Sequence, residues 1–293
     1  MNDIDPQLLP DADAVARYHE LGWYVSPPLF DDEELDRAID ASERYYAGLD
    51  EQQIDLPNGR SYRLAWYQGT GADKLRKNDY TTPIVPELDA LLRKPALGLT
   101  GALLAGEDVR LWHDQLLYKP PSPPEAPQAV GWHTDFGYWR TCSSAQMLTA
   151  WVAFTDMDEK IGTISFVDGS NHWPENDHLN FFSSDLDGLE KQFQTGGAPV
   201  VKSPAVMKRG QVTFHHCKTI HGSAPNVTAE PRRSIALHLQ PVSNQYTERQ
   251  RPDGTLYAHP NDELTRGADG QPHYDDPVFC PVVGRLTDTE RTP

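Results

Sequence analysis

His133 and Asp135 stand two residues apart in Gly131-Trp132-His133-Thr134-Asp135-Phe136, and a further imidazole, His221, follows in Thr219-Ile220-His221-Gly222-Ser223. On a strand, residues i and i+2 project to the same face, so one imidazole and one carboxylate would enter a cavity side by side. His221 would complete a set of two histidines and one carboxylate. Such a set grips one face of a metal ion, leaves the opposite face open, and suits Fe(II). A His-x-Asp pair alone is a weak signal, because most such pairs are surface polarity. Its surroundings narrow the reading. Eleven residues after His221, Arg232 opens the strand-like run Arg232-Arg233-Ser234-Ile235-Ala236-Leu237-His238-Leu239, with Asn226 and Pro231 between.

Trp132-His133-Thr134-Asp135, the downstream Asp168-Gly169-Ser170-Asn171-His172-Trp173, and His221-Gly222-Ser223 followed by Asn226 and Arg232 together resemble the phytanoyl-CoA dioxygenase family of Fe(II)/2-oxoglutarate oxygenases. The resemblance runs in order over roughly residues 12–240. It implies a double-stranded β-helix, cupin-like in architecture. It also implies Fe(II) on His133, Asp135 and His221, with 2-oxoglutarate and O2 as co-substrates and succinate and CO2 as products.

The distal carboxylate of 2-oxoglutarate needs a cation, and the planar fork of an arginine matches it. Arg232 and Arg233 compete for this role. Strand alternation places Arg232 with Ser234, Ala236 and His238, a mixed polar face suited to a ligand-filled interior. It places Arg233 with Ile235, Leu237 and Leu239, a face suited to packing against helices. Alternation and family spacing both favour Arg232. Further co-substrate contacts implied by the resemblance are Trp151, whose position equally suits a core aromatic, and Gln115; Ser223 can hydrogen-bond the same carboxylate. His113, His172, His215 and His216 read as structural histidines.

Composition sets wide bounds. The 293 residues carry 26 basic and 43 acidic side chains, a formal charge of −17, which disfavours nucleic acid and anionic membranes as partners. Three scattered cysteines with no CxxC fit a reducing cytoplasm rather than a disulfide framework. The acidic start lacks the apolar region of a secretory signal, and no apolar run is long enough to span a membrane.

The elements that must position these residues read as follows. A helix is expected over 11–20, ended by Gly22; Trp23-Tyr24-Val25 reads as a strand; Asp31 or Asp32 caps a second helix. Residues 50–85 read as irregular, with Trp66 and Tyr67 as aromatics able to reach a pocket. A third helix is expected over 86–105, weakened by Gly98 and Gly101. Strands follow at 109–119, 131–136, 147–154, 163–167, 211–214 and 232–239, with a long polar loop at 171–200. Helices first and short strands after suggest a mainly β chain with flanking helices, an antiparallel jelly roll. The expected organisation is one oxygenase domain over 1–293: a helical region at about 11–105, a core at about 109–240, and an extension at about 243–293. The loop after the metal strand, with Phe136, Tyr138, Trp139 and Arg140, is where substrate is expected, and the extension is a candidate lid.

The substrate expected is a small organic metabolite, most simply hydroxylated. Because Asp135 is present, a halogenase, which gives that position to a halide, is disfavoured. The competing class is a cupin-like binding protein or a non-redox enzyme holding Zn(II) in the same triad; the arginine argues against it.

Overall fold

Capping residues start the helices where the sequence places them. The structure, a computed structural model, describes residues 4–48, 53–55, 61–63 and 74–287, so Trp66 and Tyr67 lie outside the described residues. Helix α1 (Ala12–Leu21) begins with the Asp11 carboxylate accepting from Ala14 N and ends at Gly22, whose φ of 82° favours glycine. Strand β1 (Trp23–Val25) follows, then α2 (Asp32–Tyr46), opened by a reciprocal cap between Asp31 and Glu34.

The stretch at 86–105 is two helices rather than the single one expected. Helix α3 (Pro86–Leu92) stops before Lys94, and α4 (Pro95–Ala105) starts afresh. Pro95 has no N–H and disfavours helical geometry at the residue before it, and Lys94 is extended (ψ 117°). Gly98, a presumed weak point, is a contact point instead. A Cβ there would lie 1.8 Å from the Val283 carbonyl oxygen, and one on Gly284 would lie 1.9 Å from that of Gly98. Backbone therefore meets backbone, and neither position has room for a side chain.

Two antiparallel sheets form the jelly roll. The larger runs β1, β10 (Val212–His216), β7 (Leu148–Ala153), β12 (Arg232–Pro241), β5 (Val109–Lys119). Beyond β5 lie β13 (Val282–Gly284) at one end and β4 (Arg76–Asp79) at the other. The smaller sheet runs β6 (Val130–His133), β11 (His221–Ser223), β8 (Ser165–Val167), β9 (Lys202–Pro204). A separate pair joins β2 (Gln53–Asp55) to β3 (Ser61–Arg63). The fold is mainly β with flanking helices, a double-stranded β-helix, as the strand pattern suggested.

Strand alternation sorts the core. Ile235, Leu237 and Leu239 of β12, with Ala150, Val152 and Phe214 from neighbouring strands, pack against Leu35, Leu88, Leu92 and Leu97 of the helices. Burying each such aliphatic side chain contributes about 1.5–3 kcal/mol. The other face of the same strands turns toward the smaller sheet and is lined largely by polar side chains.

Two expectations need correction here. Residues 76–79 are not irregular: β4 pairs with Tyr118–Gln115 of β5. Its polar Arg76-Lys77-Asn78-Asp79 shows no apolar alternation because Lys77 and Asp79 face a cavity rather than a core. The polar loop at 171–200 contains a short helix, α5 (Leu186–Glu190), and carries Phe181 onto the site described next. Among the described residues no helix is long and apolar enough to cross a membrane.

Candidate active site

His133 and His221 are direct partners across the β6–β11 ladder, which sets their side chains next to each other. Strand β6 ends at His133, and Asp135 begins a 3-10 turn rather than continuing the strand. Thr134 stays extended (φ −113°, ψ 139°), so the two-residue spacing still delivers the carboxylate to the same side. Asp135 Oδ1 lies 3.8 Å from His133 Nε2 and 3.7 Å from His221 Nε2. All three ligand atoms fall within 4.8 Å of one another, and all three residues are buried.

Hydrogen bonds fix which nitrogen is available. His133 Nδ1 donates to Gly131 O at 2.8 Å, and His221 Nδ1 donates to Thr219 O at 2.9 Å. A carbonyl can only accept, so the proton sits on Nδ1 and the Nε2 lone pair turns inward. Burial foremost holds both imidazoles below their ordinary range, hence neutral. Burial alone would raise the Asp135 pKa, but the facing His221, His215 and His238 outweigh it and hold the carboxyl well below the usual carboxylate range. Two neutral imidazoles and one carboxylate are the protonation states a divalent metal requires.

The floor beneath is built in rows across the larger sheet. His238 sits between His113 and Thr149; Ala236 sits between Gln115 and Trp151; Arg232 faces Lys119. Thr149 Oγ1 donates to Asp135 Oδ2 at 2.7 Å and, having one proton, accepts from His238 Nδ1 at 2.7 Å. His215 Nε2 approaches the same carboxylate oxygen at 3.4 Å. An inner cavity is lined by the triad and by Gln115, Trp151, Ser223 and Arg232. These seven are the candidate site residues, and the fold brings all of them to one cavity. Arg232 is buried, donates to Gly162 O and lies over the Trp151 ring (5.4 Å to its centre), and among the described residues its Nε has no partner. Arg233 points the other way and pairs with Glu43 of α2.

An outer cavity of about 240 Å³ adjoins the first. Tyr138, Trp139, Phe181 and Phe182 line it, with Lys77 and Asp79 from β4 and Ala258, His259 and Pro260 from the C-terminal extension. The expected substrate loop is only partly there. Tyr138 and Trp139 line the cavity, but Phe136 is packed in a separate cluster with Trp112 and Cys217. Arg140 is not free to meet a ligand: it binds Asp177 at 2.8 Å and Glu175 at 3.1 Å and so ties the 171–200 loop to the metal turn. Helix α6 (Pro260–Leu264) roots the extension, because Asn261 bonds Tyr80 OH and Trp112 O.

Sequence reasoning placed His238 on the interior face without giving it a role, and missed His215, Thr149, Lys77 and Phe181. The inward alternation of Thr213 and His215 was the available signal for the first of these. His172 and His216 are structural as expected; His172 Nε2 donates to His19 O at 2.8 Å.

A jelly roll that holds two neutral imidazoles and one carboxylate at one point, with a buried arginine lining the same cavity, has the parts of a 2-oxoglutarate-dependent non-haem iron dioxygenase. The chain belongs to the phytanoyl-CoA dioxygenase (PhyH) family, whose model matches residues 18–234. It is 25% identical over 245 residues to a probable alpha-ketoglutarate-dependent hypophosphite dioxygenase of Stutzerimonas stutzeri, covering 77% of each chain. It is 24% identical to the ectoine dioxygenase of Bordetella bronchiseptica, covering 80% of this chain and 76% of that one. The solved non-haem alpha-ketoglutarate-dependent epimerase SnoN from nogalamycin biosynthesis superposes with a TM-score of 0.67 at 24% identity, covering 96% and 98%, and shows the same fold. The protein is thus an enzyme of this class, with iron, 2-oxoglutarate and O2 as its cofactor and co-substrates.

Proposed function

We propose that His133, Asp135 and His221 bind Fe(II), that Arg232 takes the distal carboxylate of 2-oxoglutarate, and that the enzyme hydroxylates a small organic metabolite held in the outer cavity. Iron held there would supply the oxidising chemistry and stay on the enzyme; 2-oxoglutarate and O2 would be consumed, with succinate and CO2 as co-products and the second oxygen atom of O2 carried into the substrate as hydroxyl. The chain's own residues do the positioning. Nδ1 bonds to Gly131 and Thr219 fix the two imidazoles, and Thr149 orients the Asp135 carboxylate. Gln115 and Trp151 line the inner cavity with Arg232, and the rings of Tyr138, Trp139 and Phe181 shield the substrate side.

One observation carries this reading: a buried guanidinium whose Nε has no partner among the described residues lines the same cavity as three converging ligand atoms. A zinc hydrolase would have no use for such a cation. The named relatives act on hypophosphite and on ectoine, so family membership leaves the substrate open. Five aromatic rings, those of Tyr80, Tyr138, Trp139, Phe181 and Phe182, around about 240 Å³ favour an organic molecule over a small oxyanion. Three buried free cysteines support a reducing, cytoplasmic setting.

His133→Ala tests the centre. Metal content and 2-oxoglutarate turnover should both be lost while the melting temperature of the metal-free protein changes little. Full iron occupancy with activity in that variant overturns the ligand set. Succinate release across a metabolite library then identifies the substrate, and product analysis distinguishes hydroxylation from epimerisation or ring closure.

A further inference from the structure

Lys119 is fully buried, yet among the described residues no carboxylate lies within ion-pair distance of its amine. The amine donates to Ser223 Oγ at 2.7 Å, to Ser223 O at 3.2 Å and to Ala224 O. All three acceptors are neutral. Directly across the β5–β12 ladder stands Arg232, a second buried cation. Like charges placed opposite one another are unfavourable, and a buried charge with no counter-charge is costly. Burial first, and then the Arg232 charge, push Lys119 well below the usual lysine range. This end of the cavity therefore calls for an anion.

The direction of the Ser223 hydrogen bond says how Lys119 serves that anion. Ser223 lines the inner cavity beside Arg232, whereas Lys119 sits behind it. Lys119 Nζ is the donor in this bond, and with a carboxylate docked nearby to favour its charged form the ammonium has donors only, so Ser223 Oγ accepts from it. The serine proton is then left to point away from Lys119, and among the described residues it meets no protein acceptor.

We propose that Lys119 is a positioning residue: through Ser223 it aims a hydroxyl donor at the carboxylate that docks on Arg232, and so tunes the cavity for a 2-oxo acid bearing a second carboxylate. This rests on the co-substrate assignment above and extends it to a residue that touches neither metal nor co-substrate. The lysine also ties the segment after His221 to β5, so its removal could act through stability alone; the test separates the two effects.

Binding is measured by calorimetry on the full chain, with Mn(II) replacing iron so that no turnover occurs. The two probes are 2-oxoglutarate and 2-oxopentanoate, which has a methyl group in place of the distal carboxylate. Lys119→Met is expected to weaken 2-oxoglutarate binding roughly 10- to 100-fold, the scale of a hydrogen bond to a charged group. Binding of 2-oxopentanoate should not change. Ser223→Ala should show the same selective loss, and the double variant should lose no more than the worse single one, because both act through one hydroxyl. A folded Lys119→Met protein that binds 2-oxoglutarate like the wild type overturns the inference, as does equal weakening of both probes or multiplication of the two single losses. If Lys119→Met does not fold, wild-type binding by Ser223→Ala overturns it. Wild-type protein that takes up Mn(II) but not 2-oxoglutarate would instead overturn the co-substrate assignment and this inference with it.

Discussion

Arg232 and Arg233 are chemically identical neighbours on one strand, and the fold treats them in opposite ways. Arg232 is buried, has no carboxylate partner among the described residues, and lines the inner cavity. Arg233 reaches the helical side, pairs with Glu43 and lies over the Tyr118 ring. The same division continues along β12: Ala236 and His238 line the inner cavity, while Ile235, Leu237 and Leu239 hold the helices. The inner face is kept for ligands at a cost in stability, and the outer face supplies the stability. Residue type alone does not assign a role here; the parity of the position does.

That contrast can be broken most sharply at Arg232. Arg232→Ala should raise the 2-oxoglutarate requirement by two orders of magnitude or more, since removing one member of a buried charge pair costs about 3–5 kcal/mol. Its melting temperature should hardly fall. Arg233→Ala removes a partly exposed pair and should change the co-substrate requirement little, with a stability loss of about 0–1 kcal/mol. Steady-state kinetics on the two variants decides, and the reverse ranking would mean that the parity is wrong.

Leu237→Ala should do the opposite of Arg232→Ala. It opens a cavity in the outer core and should cost about 2–5 kcal/mol in denaturant unfolding, while the co-substrate requirement of the folded enzyme stays near wild type. A large kinetic effect at full stability would show that the two faces are coupled.

A smaller effect concerns the inner face in acid. Burial pushes His238 and His259 down to about 3. The unfolded chain takes up protons at these residues below its ordinary imidazole pKa of about 6.5, whereas the fold does not until near the lower value. Their contribution to stability is therefore intact above the unfolded pKa and is lost as pH falls. Each should account for about 2 kcal/mol of the loss between pH 7 and pH 5 in metal-free protein. A His238→Gln variant should show a shallower decline, and an unchanged slope would mean that His238 is protonated in the fold.

The parts of this molecule visible in its sequence are those governed by local rules. Caps at Asp11 and Asp31, the Gly22 terminus and the alternation of β12 follow from neighbours a few residues away. So does the convergence of His133 with Asp135, which survives even though Asp135 has left the strand. What was hidden depends on distant partners. Arg140 looked like a substrate anchor until Glu175 and Asp177, brought back by a long loop, took its charge. Strand β4 is polar because it borders a cavity, so no apolar period marks it. The importance of Lys119 appears only when β5 pairs with β12 and β11 of the other sheet brings Ser223 to it.

The close meeting of Gly98 and Gly284 has a consequence for the timing of biosynthesis. Helix α4 is translated early, but the backbone that covers Gly98 belongs to a strand almost two hundred residues later. Between the two, residues 258–260 contribute to the wall of the outer cavity. While the nascent chain is still growing, the triad and Arg232 can leave the ribosome before either closure exists. Such long-range pairing is slow and leaves apolar surface open while it waits. A chain ended between Arg232 and Ala258 would thus keep all its metal ligands while its substrate chamber stays open on one side.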